Sequence, residues 1–281
     1  MFCPTSKTYW SQGLKDDGIL ERVIAIDGKT ARGSKDNFHN QPALHCVQAW
    51  SVENGICLGQ IACGERTNEI TTIPQILDLL DIKGSIITID AIGTQTAIAE
   101  KIIENGGDYI LAVKGNQGSL EEEVHATCQR NKPVFDSCTE EKGHGRIETR
   151  RCEVFEKGLI IDDERWKNLT SVIKITSTRE FSSGKKTTSE RLYISSLDTN
   201  MDFNTCIRSH WDIENKLHWV LDMIFSEDMQ RKRAKHAAAN FAIVRKIGLN
   251  LLKKDTGKES LKSKRLKAAW SKEFLIKLLK I

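Results

Sequence analysis

The chain has 281 residues, long enough to bury a real core in one or two domains, and its 39% apolar and 6% aromatic content is that of an ordinary globular protein. No apolar run approaches the roughly 18–20 residues of a membrane span, residues 1–7 lack the charged-then-apolar layout of a secretory signal, and the eight cysteines form no Cys-x-x-Cys pair, so the expectation is a cytoplasmic protein with reduced thiols. The net charge of +4 conceals an asymmetry: residues 229–281 carry 16 Lys and Arg against 3 acids, which leaves −9 for the rest; this suits a tail that meets a polyanion, although a solvated helix face has the same composition.

Residues 1–21 are polar and without period, and read as a leader or a truncated N-terminal segment. Residues 22–27 read as a buried strand. Residues 44–51 and 56–63 read as two more, joined by the turn Glu53-Asn54-Gly55. Thr71-Thr72-Ile73-Pro74 opens a helix, since proline suits a first turn where its missing N–H has no partner. A strand over 86–90 and a helix over 94–104 follow, the helix stopped by Asn105-Gly106-Gly107. A strand over 109–113 and a helix near 119–129 complete an α/β stretch, 22–130, that predicts a mixed sheet flanked by helices. Residues 131–200 change character: strand-like pieces at 149–155, 171–176 and 191–195, separated by loops at 143–146 and 182–186, predict a β-rich insertion. Helical periodicity resumes over 203–214, continues in a long helix over 233–253, and ends in a helix over 261–279. Residues 201–255 thus carry helices of the main domain, and 256–281 form a basic helical tail.

Three carboxylates stand out. Asp27 closes Val23-Ile24-Ala25-Ile26 and Asp90 closes Ile86-Ile87-Thr88-Ile89, and ligands of open α/β sheets gather at such strand ends. Glu214 lies at the edge of a helical apolar stripe made of Ile213, Leu217, Val220 or Leu221, and Ile224. Two strand-exit Asp and one helical Glu suit a pair of hard divalent cations that activate an attacker on phosphate. Each also has a plain reading, as a turn former, a helix cap or a boundary residue. Gly28 would leave room for a metal or phosphate, with Lys29 and Arg32 beyond it. His210, Glu214 and His218 repeat every four residues like a zinc ladder, but a third ligand is missing. No Gly-x-Ser-x-Gly, P-loop or dinucleotide fingerprint is present.

Five ordered phrases then carry a resemblance: residues 24–34 (IAIDGKTARGS), 90–93 (DAIG), 106–117 (GGDYILAVKGNQ), 144–150 (HGRIETR) and 210–219 (HWDIENKLHW). Over about residues 22–255 the chain resembles the H-repeat-associated transposases of bacterial insertion sequences, which look like DDE enzymes with a ribonuclease-H-like core. The resemblance implies that Asp27, Asp90 and Glu214 are the catalytic carboxylates and share two Mg²⁺ or Mn²⁺. Water would attack at the element's end, and the freed 3′-hydroxyl would attack target DNA. It implies double-stranded DNA as partner, both terminal repeats and target, a homodimer or higher oligomer when assembled on DNA, no membrane, and association with the nucleoid. Lys29, Arg32, Lys114, Asn116, His210 and Asn215 are the expected DNA contacts near the cleaved strand, and the basic C-terminal helices those to the flanking duplex. Two departures matter. Only about 21 residues precede the first catalytic strand, which leaves a silent, DNA-binding remnant as one rival and a ribonuclease-H-like cellular nuclease as another. The wider Tyr-x-x-Arg-x-x-x-Glu-x-x-x-x-x-x-Lys signature is degraded to Ile207, His210, Glu214 and Leu221, which keeps Asp222 and Glu227 open as third ligands.

Overall fold

The computed structural model describes residues 22–64, 67–143, 145–158 and 165–280; the expected leader at 1–21, and His144 of the 143–146 loop, lie outside them. In chain order the elements are β1 (Val23–Ala31), β2 (Leu44–Ser51), β3 (Ile56–Ala62), α1 (Glu69–Leu79), β4 (Ile86–Ile89), α2 (Thr96–Glu104), β5 (Asp108–Val113) and α3 (Gly118–Arg130). There follow β6 (Phe135–Gly143), β7 (Arg146–Glu156), β8 (Ser171–Phe181), β9 (Lys186–Ser195), α4 (Phe203–His210), α5 (Trp219–Phe225), α6 (Ala237–Lys254), α7 (Leu261–Trp270) and α8 (Lys272–Leu279). They fall into two compact units, one built on Ala25–Leu80 and the residues from Trp211 onward, the other on Asp81–His210 with the residues just before Ala25.

In the first unit the strand order is β3-β2-β1. β2 and β3 form the expected antiparallel hairpin, paired from Cys46↔Ala62 to Ser51↔Ile56 with an irregularity at Ala49/Trp50. Its turn is closed by the Gly55 N–H on Ser51 O at 3.0 Å, with Gly55 at φ +60°, a conformation that costs glycine little. α1 begins earlier than expected. Asn68 caps it, accepting the Thr71 N–H while the Thr71 hydroxyl reaches back to the Asn68 N–H, so Pro74 sits inside the helix rather than in its first turn. The apolar face of Ile73, Ile76 and Leu77 is buried, and that packing outweighs the one backbone bond proline removes. α6 approaches β3 through a polar key: the Asn250 side chain accepts the Cys57 N–H at 3.0 Å and donates to the Cys57 carbonyl at 2.8 Å.

The expected final helix is two. Ser271 ends α7 and caps α8, its hydroxyl accepting the Phe274 N–H at 3.2 Å. Leu252, Phe274 and Leu278 form a buried cluster against Phe225, Leu261 and Ala268. Beside it the Asp255 carboxylate takes Lys277 at 2.7 Å and Lys264 at 3.1 Å. The hydrogen bonds from Lys277 and Lys264 lower its pKa from 3.8 to about 2. A depressed acid contributes stability that is complete above its unfolded pKa and is lost as pH falls through the folded one. Acid titration of the wild type is therefore expected to lose a stability component between about pH 4 and pH 2 that is missing from Asp255→Asn, read as thermal midpoint against pH.

The second unit is a mixed sheet in the order β4-β5-β9-β8-β7-β6. β4 and β5 are parallel, paired from Ile86↔Asp108 to Ile89↔Leu111, and α2 connects them as a crossover helix. All four residues of β4 are buried, as in a strand covered on both faces. β9 is antiparallel to β5, and β8, β7 and β6 continue antiparallel. The strand-like pieces at 149–155, 171–176 and 191–195 are the inner parts of β7, β8 and β9, whose polar outer halves extend beyond them. β6, almost entirely exposed, has no apolar alternation to announce it. The chain is thus α/β, with a mixed sheet and flanking helices, and among the described residues no helix is long and apolar enough to cross a membrane. The seven described cysteines are free thiols, and burial pushes Cys46, Cys152 and Cys206 up to about 12, which makes them inert packing groups.

Candidate active site

Strand alternation sends Asp27 and Lys29 of β1 to one face and Gly28 and Thr30 to the other. Asp27 Oδ1 accepts the N–H of Gly28 at 2.8 Å. Its Oδ2 is 3.6 Å from Nδ1 of His218. His218 ends the segment Ile213–His218, which is a π-turn in which the Trp219 N–H reaches back five residues to the Glu214 carbonyl. Such wide turns insert one residue into a helix and recur at functional sites. Ile213, Leu217, Val220 and Leu221 are buried as the stripe predicts, Ile224 at its end is only half-buried, and Glu214 and Asn215 are exposed beside it. The first unit therefore ties Asp27 to the turn that bears Glu214.

The zinc ladder that the four-residue repeat suggests, for which the sequence offers no third ligand, is not formed. α4 ends at His210, the π-turn breaks the four-residue repeat, and the two histidines serve different partners, Thr88 for His210 and Asp27 for His218. Lys29 does not project toward a ligand. Its ammonium lies 2.7 Å from Asp222 Oδ2 and 3.6 Å from Asp228 Oδ1, on a side chain only 8% exposed. Arg32 is 84% exposed, with Nε 3.6 Å from Asp228 Oδ2. Of the rival third carboxylates, Glu227 is buried against Arg245 at 3.4 Å and Lys246 at 4.0 Å, an internal counter-ion. Asp222 holds Lys29 through one oxygen, while its Oδ1 is buried with no hydrogen-bond partner among the described residues. Gly28 does not open a path to a ligand. A Cβ there would overlap Glu69 Oε1 and stand 2.8 Å from His45 Nε2, so that space belongs to the pair formed by His45 and Glu69.

In the second unit Asp90 follows β4 and caps the short turn Ala91–Gly93, its Oδ1 accepting the Ile92 N–H at 3.1 Å. Asn116, beyond the end of β5, donates to Ala91 O at 2.7 Å; Gln117 donates to Thr94 O and the Thr94 hydroxyl to Ala112 O, each at 2.6 Å. Asn116 is thus committed to holding the Asp90 turn, and Lys114 stands exposed two residues before it. His210 Nδ1 lies 2.9 Å from the Thr88 hydroxyl. Burial drives its ring down to about 4, against the opposing pull of the Asp90 carboxylate and the Thr88 bond, so it is a neutral polar group near pH 7 rather than a cation for phosphate.

A cluster the sequence reading missed lies on β7 and β8. Glu148 takes Arg150 at 2.7 Å, Arg179 at 3.4 Å and Arg146 at 3.5 Å. Burial alone would raise this carboxyl, but the Arg150 bond and the other two guanidinium charges outweigh it and hold it below its usual range. Three guanidinium groups on one carboxylate leave two positive charges in excess. Arg179 comes from the neighbouring strand β8 and pairs directly opposite Glu148, which register alone reveals. Among the described residues no three His, Cys, Asp or Glu side chains form a group placed to hold a metal ion.

Comparison with known proteins completes the picture. A family model described as a transposase DDE domain matches residues 19–251. The chain is 44% identical over 269 residues to the H repeat-associated putative transposase YhhI of Escherichia coli K12, covering 92% of this chain and 71% of that protein. The same identity and coverage relate it to the putative protein YbfL of that organism. A solved structure of piggyBac transposase in a synaptic complex with hairpin DNA superposes with a TM-score of 0.46 at 11% identity, over 92% of this chain and 54% of that one, a likeness too slight to add to the assignment. By family match and by close relatives, the chain belongs to the DDE-domain transposases and, within them, to the H-repeat-associated group.

Proposed function

We propose that this chain cuts and joins DNA strands by metal-dependent phosphodiester chemistry, with Asp27, Asp90 and Glu214 as its carboxylates. The observation that carries this reading is the 3.6 Å approach of His218 to Asp27, which links the middle of β1, a strand that runs on to Ala31 rather than ending at Asp27, to the π-turn of Glu214. The donor set suits hard divalent cations, since all three groups are carboxylates. Two Mg²⁺ or Mn²⁺ held by them would activate the attacking water or 3′-hydroxyl and stabilise the leaving oxygen. The chain's own contribution is orientation. A backbone N–H on Oδ1 sets the rotamer of both Asp27 and Asp90, and Lys29 balances the acids Asp222 and Asp228 next to that strand. Metal-dependent nicking of duplex carrying the element's terminal repeats tests the reading. Preference for an RNA–DNA hybrid would instead favour a ribonuclease-H-like nuclease, and salt-sensitive binding without nicking a silent remnant.

The proposed partner is double-stranded DNA, on which the protein assembles as a homodimer or larger oligomer. The stretch 131–200 is proposed as an insertion in the catalytic domain and 256–281 as a basic tail. The guanidinium excess around Glu148 adds Arg146 and Arg179, each more than a third exposed, to the residues placed to meet phosphate. Replacing both by alanine is expected to reduce the slope of log affinity against log salt by about 1.8, roughly 0.9 per lost phosphate contact. An unchanged slope in a filter-binding titration would remove this face from the interface.

A further inference from the structure

Thr30, His45 and Glu69 form a chain that the proposed chemistry does not use. Thr30 Oγ1 is 2.8 Å from His45 Nδ1, and His45 Nε2 is 2.7 Å from Glu69 Oε1. Both ring nitrogens are thus engaged, and the imidazole is fixed between β1 and the first turn of α1, where Asn68 caps the helix. The pair sits where a Cβ of Gly28 would be. Gly28 is the residue whose N–H holds Asp27 Oδ1 at 2.8 Å. The peptide that sets the carboxylate rotamer is therefore pressed from the opposite face of the strand.

We infer that His45 and Glu69 are positioning residues for Asp27, acting through the backbone of Gly28. This rests on the reading of Asp27 as a catalytic carboxylate. Stability gives little reason for the pair, because the His45 and Glu69 side chains are part-buried, 29% and 16% exposed, and the net contribution of one such hydrogen bond to folding is modest. Its location gives a better one: groups that orient a ligating carboxylate typically alter metal affinity or activity about 10–100-fold when removed.

The test uses the full chain, with Mn²⁺ binding read by electron paramagnetic resonance alongside the kcat and KM of duplex nicking. Glu69→Ala is expected to weaken Mn²⁺ binding and lower kcat by about 10–100-fold while KM for DNA stays put. Glu69→Gln, which keeps an oxygen on His45, is expected to recover most of the loss. Gly28→Ala forces the pair away and is expected to be at least as harmful as Glu69→Ala. The double variant is expected to be no worse than Glu69→Ala alone, because both changes break the same contact. Thr30→Val cuts the chain at its exposed end and is expected to shift Mn²⁺ affinity severalfold in the same direction, an arm that survives if Glu69→Ala does not fold. Wild-type Mn²⁺ affinity in both Glu69→Ala and Thr30→Val, or a loss that glutamine does not repair, would overturn the inference. Failure of the underlying reading has a different signature: wild type and Asp27→Asn would then bind Mn²⁺ equally.

Discussion

Asp90→Asn is expected to lower metal-dependent nicking by about 10³-fold or more, with duplex binding and thermal midpoint close to wild type. The size follows from removing a charged ligand that contributes several kcal/mol of transition-state stabilisation, at 1.36 kcal/mol per decade of rate. The selectivity follows from geometry. Oδ1 of Asp90 acts structurally only as an acceptor, for the Ile92 N–H at 3.1 Å, and the asparagine carbonyl oxygen keeps that role. The substitution therefore spares the cap of the Ala91–Gly93 turn and removes the charge alone. Asp27→Asn should behave alike, with the Gly28 N–H as the bond retained. A nicking rate within tenfold of wild type in Asp90→Asn would refute its role as a ligand.

The largest effect on stability is expected at Asn250. Its amide closes both free backbone groups of Cys57 at a side chain that is 4% exposed. Asn250→Leu keeps the volume and strands a buried N–H and a buried carbonyl on β3. Each such group costs about 1–3 kcal/mol, so a total of about 2–6 kcal/mol is expected in urea unfolding. Asn250→Asp retains the acceptor and loses the donor, and should fall between the two only if the new charge finds a partner. A loss below about 1 kcal/mol in Asn250→Leu would mean that β3 is held by other contacts.

The elements that could be read in the sequence were those with an apolar period. Residues 23–26, 86–89 and 109–113 announce buried strands, and Asn54-Gly55 announces the hairpin that β2 and β3 form. What escaped was set by polar contacts between distant residues. β6 is a charged strand with no buried face, and the onset of α1 depends on a capping box at Asn68 rather than on Pro74. The break at Ser271 depends on one hydroxyl. The site divides in the same way. Asp90 is legible because it follows a strand end, Asp27 because it follows an apolar run although β1 continues to Ala31, and Glu214 because it borders an apolar stripe. The fate of the nearby polar side chains is not legible. Lys29 turns onto Asp222, Asn116 onto Ala91 and His210 onto Thr88, and each of those partners lies on another element. Gly28 reads as an opening only until Glu69 is seen to fill it.

The wide turn over Ile213–His218 has a consequence for counting. One additional residue rotates everything after it by about 100° relative to an uninterrupted α-helix. A signature written as a fixed number of positions beyond Glu214 then lands on the wrong side of the helix. Seven residues on is Leu221, which is 0% exposed and has nowhere to place a charge. The neighbouring position, Asp222, meets the ammonium of Lys29 at 2.7 Å. The ammonium that meets this stretch of the helix comes not from along it but from β1, 193 residues earlier in the chain.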